Sequence, residues 1–423
     1  MARRPATLGN NVSVSDVSEV VSTILRGRVV TPHDVLDDAV VVVEGSMIVW
    51  VGAPHDVPAE WRAQVPETTG STLLPGLVDL HDHGGGGASF PDATDEGAVR
   101  TAADEHLRHG TTSLVASLVT APRDILLART ALLADAADAG VIAAIHLEGP
   151  FLSGARCGAQ NPDDMLVGDA QLVRDVAAAA RGHLATMTIA PEVEGVADGD
   201  DDVLAALVAA GAVPSIGHTD ASAEQVDAAV DRGFDLLATH DAARSGRLTA
   251  THLFNGMRPI HHRDPGPIAA CLAAAGRGEL VVELVADGTH LADGTVRAVF
   301  DLLSAGSIAL VTDAMAAAGM DDGDYRLGPM AVRVAGGVAR IVEPDGSAGA
   351  IAGGVAHLLD VVRHVVRAGV PIVDAVRSAA TTPAEVLGRH DLGALVAGRR
   401  ADVVVVSSDL APQRVMRAGA WVA

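Results

Sequence analysis

Lysine is absent from this chain, and all 30 basic residues among its 423 are arginine. The absence excludes Schiff-base chemistry, the lysine of a phosphate-binding loop and a carboxylated lysine as a bridge between metal ions. Positive charge is scarce altogether, because 54 acidic residues bring the formal net charge to −24. Since so acidic a surface repels a phosphate backbone, we expect no nucleic acid among the partners of this protein.

Cysteine, aromatic residues and long apolar runs are scarce as well. Cys157 and Cys271 are too few for a disulfide framework or a four-thiolate zinc site. Aromatic residues make up 2% of the chain and hydrophobic residues 49%, which favours a core of Ala, Val, Leu and Ile, as in layered α/β folds. No apolar run approaches the roughly 18 to 20 residues that span a bilayer, and no apolar segment follows Arg3 and Arg4 as in a signal peptide. We therefore expect a cytoplasmic protein that has no membrane partner.

Short β-branched runs mark both ends of the chain. They lie at residues 39–45, 47–52, 401–407 and 415–422. Such runs, bounded by turn residues, are typical of strands. We predict one small β-sandwich domain assembled from residues 17–74 and 388–423, and we expect residues 1–16 to be disordered.

Eight short apolar runs alternate with alanine-rich stretches between residues 75 and 387. The runs are Leu77–Leu80, Ser113–Val119, Ile142–Leu147, Ala185–Ile189, Val213–Ile216, Thr249–Phe254, Leu280–Val285 and Ile308–Val311. Helix candidates between them include residues 98–109, 124–139 and 221–232. Eight strand–helix units favour an α/β fold, a parallel (β/α)8 barrel of the TIM type, whose chemistry lies where the strands end. A doubly wound open sheet is the alternative.

Polar side chains with metal-ligand chemistry follow most of these runs. They are His81 and His83 after the first run, Glu148 after the third, Glu192 after the fourth, His218 after the fifth, His252 and Asn255 at the sixth, Asp287 and His290 after the seventh, and Asp313 after the eighth. A single histidine of this kind would more often be structural. Several imidazoles and carboxylates that converge on one barrel mouth instead indicate a divalent metal site.

Seven segments carry a more specific pattern. They are Pro75-Gly-Leu-Val-Asp-Leu-His-Asp-His-Gly, His146-Leu-Glu-Gly-Pro-Phe-Leu, Ala190-Pro-Glu, Ser215-Ile-Gly-His-Thr-Asp, Thr251-His-Leu-Phe-Asn-Gly-Met, Ala286-Asp-Gly-Thr-His and Val311-Thr-Asp-Ala-Met-Ala. Together they closely resemble the N-acetylglucosamine-6-phosphate deacetylases of the amidohydrolase superfamily. That family has a metal-dependent (β/α)8 barrel with a β-sandwich from both termini. The resemblance implies a homodimeric hydrolase that converts N-acetylglucosamine 6-phosphate, a phosphorylated N-acetyl amino sugar, to glucosamine 6-phosphate and acetate.

The resemblance also implies a set of metal ligands. Glu148, His218 and His252 would form the main site, and His81 and His83 a second one. Many amidohydrolases bridge two metal ions with a carboxylated lysine, which this chain lacks. Glu148 is the carboxylate available instead. We expect one or two divalent ions per subunit, with zinc preferred and iron as the alternative.

The number of residues between His218 and His252 departs from the family pattern. His252 lies farther from His218 than the family pattern predicts, so His240, which is nearer, competes as a ligand. We prefer His252 because it ends an apolar run, whereas His240 lies in a helical context.

Asp313 resembles the catalytic aspartate of the family. It would take a proton from the attacking water and pass it to the departing amine. A structural alternative is that Asp313 caps a helix over residues 314–318.

Substrate contacts are expected elsewhere. His290 would, by resemblance, contact the sugar, while Asn255 and Gly256 lie at a strand-to-loop junction suited to an anion. Arg263 resembles the family arginine that reaches a phosphate across a dimer interface. An ion pair with Asp264 is the alternative for Arg263.

Two further positions, Gln160 and Gly354, depart from the family pattern, and Cys157 lies in the same loop as Gln160. Gln160 stands where the family usually has a histidine that polarises the scissile carbonyl, and its amide donates without charge. Cys157 is interpreted as a small loop residue rather than a nucleophile. Gly354 stands where serine is common. The alternatives for function are an amidohydrolase acting on another N-acetylated sugar phosphate or a cyclic amide, and an inactive scaffold barrel.

Overall fold

The computed structural model describes residues 22–423. The strands of this range are β1 (Ser22–Val30), β2 (Val35–Glu44), β3 (Met47–Gly52), β4 (Thr72–Pro75), β5 (Leu77–Asp82), β6 (Gly84–Gly85), β7 (Ala88–Ser89), β8 (Thr111–Val119), β9 (Ala144–Glu148), β10 (Leu184–Ile189), β11 (Val213–Ile216), β12 (Leu248–Ala250), β13 (Leu280–Leu284), β14 (Ile308–Leu310), β15 (Gly323–Leu327), β16 (Met330–Ala335), β17 (Val338–Val342), β18 (Ala348–Ile351), β19 (Val403–Val406), β20 (Pro412–Arg417) and β21 (Ala420–Trp421). Its α-helices are α1 (Ala59–Arg62), α2 (Glu96–Arg108), α3 (Arg123–Asp138), α4 (Ala170–Ala180), α5 (Val203–Ala209), α6 (Ala223–Thr239), α7 (Gly266–Arg277), α8 (Asp293–Leu302), α9 (Leu358–Arg367), α10 (Ile372–Ala379) and α11 (Thr381–Val386). The disorder expected for residues 1–16 and the start of the small domain at 17–21 lie outside the described residues.

Eight parallel strands form the wall of a nearly closed barrel. They follow one another in chain order as β5, β8, β9, β10, β11, β12, β13 and β14. The first and last strands meet at their carboxyl ends, where the backbone N–H of Asp313 donates to the carbonyl of His81 at 2.9 Å. The predicted (β/α)8 barrel is therefore confirmed, and the open doubly wound sheet is wrong.

Each of the eight predicted runs overlaps one barrel strand, although most bounds differ. The sixth strand is the largest difference, because β12 ends at Ala250 rather than continuing to residue 254. His252 and Phe254 have φ values of 28° and 82°. Extended strand structure does not pass through that left-handed region, so the chain turns there.

The helices pack alanine-rich faces onto the barrel and begin at polar caps. The carboxylate of Asp95 accepts from the Ala98 N–H at 3.0 Å at the start of α2. A capping box of Ser222 and Gln225 opens α6. Such caps satisfy N–H groups that the first turn of a helix leaves without a partner.

A second sheet draws strands from both ends of the described chain. Its order is β21-β20-β19-β4-β1-β2-β3. Val41 and Val43 of β2 pack into one cluster, and Val40 and Val42 into another. Alternate residues of this strand thus bury opposite faces, as a strand between two apolar layers requires. The small β-domain is confirmed, whereas the bounds 17–74, 75–387 and 388–423 remain a prediction.

A four-stranded antiparallel sheet, β15–β18, lies between β14 and α9 and was not predicted. Its inward side chains, among them Leu327, Val332 and Ile341, pack against Met315 and Val119. Its strands are short and partly exposed, and they lie outside the strand–helix repeat that predicted the barrel. The pair Gly336-Gly337 between two valine-containing runs indicates the central hairpin.

No helix between residues 22 and 423 combines the length and apolar composition that crossing a membrane requires. The cytoplasmic location remains an expectation.

Candidate metal centre at the barrel mouth

The predicted ligands converge on the carboxyl ends of the barrel strands. His81 lies on β5 and His83 directly follows it, so the two-residue spacing places both rings on one side of the extended chain. Glu148 is the last residue of β9. His218 and His252 follow β11 and β12.

Three of the predicted site residues have left-handed backbone conformations. The φ values are 47° at His218, 28° at His252 and 47° at Asp313. Such values are uncommon for residues other than glycine and persist only where the surrounding structure enforces them. Each of these three residues follows a barrel strand, so the chain turns sharply as it leaves the wall.

One cluster consists of Glu148, His218 and His252, all buried. The Oε1 atom of Glu148 lies 2.8 Å from Nε2 of each histidine, and the two Nε2 atoms are 3.2 Å apart. The Nδ1 of His218 lies 2.8 Å from the carbonyl oxygen of Arg156 and therefore holds a proton. In the neutral ring the Nε2 lone pair then faces a carboxylate oxygen. A cation between these donors relieves that repulsion, so the donor set fits a metal ion.

A second cluster shares the same glutamate. The Nε2 atoms of His81 and His83 are 3.0 Å apart, and that of His83 is 3.2 Å from Oε2 of Glu148. Oδ1 of Asp313 lies 3.3 Å from Nε2 of His83. Each oxygen of Glu148 thus faces one pair of histidines. This imidazole and carboxylate set suits a divalent metal ion.

The charges of these groups stabilise one another. Burial lowers the pKa of His83, but hydrogen bonds with Asp313 and Glu148 outweigh it and set the pKa at about 9. Burial raises the pKa of Asp313, but the charges of His81 and His83 outweigh it and set the pKa at about 2. The carboxylates therefore remain ionised opposite positive charge, whether protons or a metal ion supply it.

Gln160 contacts Glu148, the glutamate that both clusters share. Its Nε2 donates to Oε2 of Glu148 at 2.5 Å, and its Oε1 accepts from the backbone N–H of Thr120 at 2.8 Å. Because the Thr120 N–H requires an oxygen, the amide end of Gln160 must face Glu148. Gln160 thus holds the carboxylate oxygen that faces His83.

The predicted sugar and anion contacts line a cavity of 240 Å³ above the two clusters. Asn255, Gly256 and His290 all lie on its wall. Nδ1 of His290 is 2.9 Å from Oδ2 of Asp287. A Cβ atom at position 256 would lie 2.8 Å from Nδ1 of His218, so only glycine allows the loop to pass there.

The unpredicted sheet β15–β18 contributes to the same cavity. Leu327 and Ile351 belong to its wall, beside the catalytic candidates. Gly354 follows this sheet and donates its N–H to the carbonyl of Asp313 at 2.6 Å. A Cβ atom there would lie 2.4 Å from the carbonyl oxygen of Thr312, so this chain leaves no room for a side chain at position 354.

Arg263 is not among the residues that line the cavity of this single chain, and it lies on an exposed loop. The alternative ion pair between Arg263 and Asp264 is wrong, because Asp264 pairs with Arg258 at 2.8 Å and no ion pair joins it to Arg263 in the described part of the chain.

Neither a helix cap at Asp313 nor a ligand role for His240 agrees with the structure. Residues 316–319 form a turn, so no helix over 314–318 follows Asp313. His240 is exposed at the end of α6, outside both clusters. Cys157 is half-buried in the loop before Gln160.

Two functional contacts of the centre were missed from the sequence. Glu283 is buried on β13, and its Oε2 lies 3.4 Å from Nδ1 of His81. Its lone charge inside the apolar run 280–285 is the feature that could have revealed it. The second contact is that of Asp82, the last residue of β5, which pairs with the buried His106 at 3.0 Å.

A third histidine and carboxylate group lies at the end of α2. It contains Glu105, His109 and His357. The two rings stack at 3.6 Å with an interplanar angle of 12°. Because lone pairs of parallel rings do not converge, this group is not arranged to hold a metal ion.

Comparisons with known proteins agree with this geometry. A profile of the amidohydrolase family matches residues 72–422. The N-acetylglucosamine-6-phosphate deacetylase of Lysinibacillus sphaericus is 32% identical over 359 residues, covering 84% of this chain and 86% of that protein. The protein of the same name from Homo sapiens is 32% identical over 363 residues, which is 83% of each chain.

A solved structure is similar over almost the full length. It is a point variant of N-acetyl-D-glucosamine-6-phosphate deacetylase from Mycobacterium smegmatis in complex with N-acetyl-D-glucosamine-6-phosphate. The identity is 39%, the TM-score is 0.84, and the match covers 95% of this chain and 99% of that one.

Proposed function

This chain belongs to the N-acetylglucosamine-6-phosphate deacetylases of the amidohydrolase superfamily, and we propose that it hydrolyses the acetamide of N-acetylglucosamine 6-phosphate. The products are glucosamine 6-phosphate and acetate. The observation that carries the proposal is the position of Asp313, 3.3 Å from His83 in the cluster that shares Glu148. A general base and a metal-ligand set thus line one substrate-sized cavity.

A divalent metal ion is part of the proposal. Glu148, His218 and His252 would hold the main ion, and His81 and His83 a second one. Zinc is proposed first and iron second, because both suit imidazole and carboxylate ligands. Such an ion supplies Lewis-acid chemistry that polarises a carbonyl and lowers the pKa of water.

Asp313 moves the proton. Its low pKa keeps the carboxylate ionised and ready to accept a proton from the attacking water. The carbon–nitrogen bond of the amide then breaks, and the same proton passes from Asp313 to the departing amine. Water and amide therefore become acetate and a free amino sugar without any other reactant.

Gln160 and His290 would orient the substrate. One N–H of the Gln160 amide contacts Glu148, and the second is free to donate to the carbonyl oxygen of the acetamide. Donation there stabilises the negative charge that develops on that oxygen. His290, held by Asp287, would contact the sugar hydroxyl groups.

Within residues 22–423 no arginine lines the cavity, so the phosphate lacks a permanently positive partner there. We propose that Arg263 of a second copy reaches the phosphate in a homodimer, next to Asn255 and Gly256. Its exposed loop supports this proposal. Arg263→Ala should raise KM about tenfold for the phosphorylated sugar, as expected for loss of a charge-assisted contact. It should leave KM for N-acetylglucosamine unchanged, and equal effects on both substrates would contradict the assignment.

The proposed function is tested by acetate release from N-acetylglucosamine 6-phosphate, N-acetylgalactosamine 6-phosphate and N-acetylmannosamine 6-phosphate. We expect the highest kcat/KM for the first. A higher value for another epimer would favour a related specificity. No acetate from any of them, in protein that carries stoichiometric zinc, would contradict deacetylation.

A further inference from the structure

None of the proposed steps uses Glu283, although its carboxylate contacts residues of both clusters. It is the fourth of the five residues of β13 and is 2% exposed. A charged residue is almost never fully buried unless specific partners compensate its charge. The partners of Glu283 therefore identify its role.

Both partners belong to the proposed ligand set. Oε2 of Glu283 lies 3.4 Å from Nδ1 of His81 and 3.3 Å from the backbone nitrogen of His252. The backbone carbonyl of Glu283 also accepts from the N–H of Leu253 at 2.8 Å. Glu283 thus links a histidine of the second cluster to the turn that holds a histidine of the first.

The contact to His81 determines which nitrogen of that ring binds a metal. His81 is fully buried, and within residues 22–423 the partner of its Nδ1 is Glu283. With the proton on Nδ1, the lone pair lies on Nε2, which faces His83 at 3.0 Å. A carboxylate acceptor also makes the imidazole a stronger donor to a metal ion.

Two of the other ligands, His83 and His218, do not depend on a side chain in this way. Nδ1 of His83 lies 3.2 Å from the carbonyl of Ser117, and Nδ1 of His218 lies 2.8 Å from that of Arg156. Both acceptors are backbone atoms, which no substitution removes. His81 is therefore the ligand whose orientation depends on one replaceable carboxylate.

We propose that Glu283 is a positioning residue that sets the affinity of the His81–His83 site for a second divalent ion. The inference rests on the metal centre of the proposed function. Removal of an acceptor behind a histidine ligand typically weakens metal binding about 10- to 100-fold. Glu283→Ala should therefore weaken the second zinc ion about 100-fold. Glu283→Gln, which keeps an acceptor oxygen but not its charge, should weaken it about 10-fold.

The experiment is a zinc titration of metal-free protein against a competing chelator, with zinc per chain measured by elemental analysis. Wild type should bind two ions, and the affinity of the first should be the same in wild type and Glu283→Gln. The matched control is Glu192→Gln. Glu192 lies in the loop that follows β10 at the barrel mouth. Its carboxylate accepts from Thr219 Oγ1 and from the Asp220 N–H at 2.6 Å each, and it does not contact His81. This control should retain the second ion.

Several results would overturn the proposal. One is a second zinc affinity unchanged in both Glu283 variants, and another is a wild type that binds a single ion. Equal weakening of both ions, together with a lower melting temperature of the metal-free protein, would show a structural role instead. Acetate release is measured separately. Failure of deacetylation with two ions bound would contradict the proposed function and leave the role of Glu283 standing.

Discussion

The two halves of the metal centre are built in different ways. His81 and His83 lie on or next to an extended strand, and their positions follow from a two-residue spacing. His218 and His252 instead lie in turns with left-handed backbones. Glu148 joins the halves, with Oε1 toward His218 and His252 and Oε2 toward His83.

The difference shows how the same chemistry can be held by local or by distant structure. In the extended half, which consists of His81 and His83, a strand is enough to place both rings on one side, and Glu283 then orients the ring of His81. In the turn half, which consists of His218 and His252, the ligands have left-handed backbone conformations that persist only because the surrounding barrel enforces them. We therefore expect the turn half to form the tighter site, because its two Nε2 atoms approach the glutamate most closely at 2.8 Å.

The strongest test of this comparison replaces one histidine in each half. His252→Gln should remove the tightly bound ion and lower kcat/KM about 10³-fold or more, since several kcal/mol of Lewis-acid stabilisation disappear. His81→Gln should leave one ion bound and lower kcat/KM about 10-fold, because only the second site is lost. Steady-state kinetics and zinc per chain measure both. The reverse order of effects would show that the extended half carries the main site.

Asp313→Asn tests the proton carrier that faces the extended half. We expect kcat to fall about 10²- to 10⁴-fold, the usual contribution of a general acid–base residue. Zinc at Glu148, His218 and His252 should be retained, because their contacts do not include Asp313. Turnover close to wild type would refute the role of Asp313 as base.

Gln160→Ala sharpens the comparison at the shared glutamate. The change removes the donor to Oε2 of Glu148 and leaves the buried Thr120 N–H without its acceptor. We expect kcat to fall about 10²-fold and the free energy of unfolding to fall by about 1–3 kcal/mol. Gln160→His should recover part of the kcat loss, and urea unfolding measures the stability. An unchanged kcat in Gln160→Ala would remove this residue from the mechanism.

The smallest expected effect is on the free energy of unfolding and concerns the pair of Asp82 and His106, next to His81 and His83. Burial lowers the pKa of His106, but the charge of Asp82 outweighs it and raises the pKa from 6.5 to about 9. A raised pKa in the folded state stabilises the protein below pH 6.5, and this contribution disappears as the pH rises through 9. The stability difference between wild type and His106→Gln should therefore shrink from pH 6 to pH 9.5.

Urea unfolding in the presence of chelator measures that difference. The control is His364→Gln, which removes a surface contact with Asp293 at 2.9 Å. Surface changes of this kind usually stay within about 0.5 kcal/mol. A pH-independent difference for His106→Gln would show that the pair with Asp82 is not charged.

Much of the architecture was predictable because local patterns repeat. The eight apolar runs predicted the barrel, and each overlaps one of its strands. The sheet β15–β18 was missed although β16 and β17 are mostly apolar, because its antiparallel hairpins do not belong to the strand–helix repeat that predicted the barrel. Arg263 shows a different limit. The resemblance implied its role, but the proposed contact lies on a second copy, so a single chain does not place Arg263 in the cavity.

The sequence by itself determined the fold class and the chemical identity of the donors, because strand and helix periodicity and residue type are local properties. It also excluded a lysine bridge, since the chain has no lysine. Only the tertiary structure decided which nitrogen of each histidine faces Glu148 and that Glu283 lies behind His81. Those directions depend on backbone dihedrals and on acceptors far away in the chain, as between residues 81 and 283, and no local pattern encodes them.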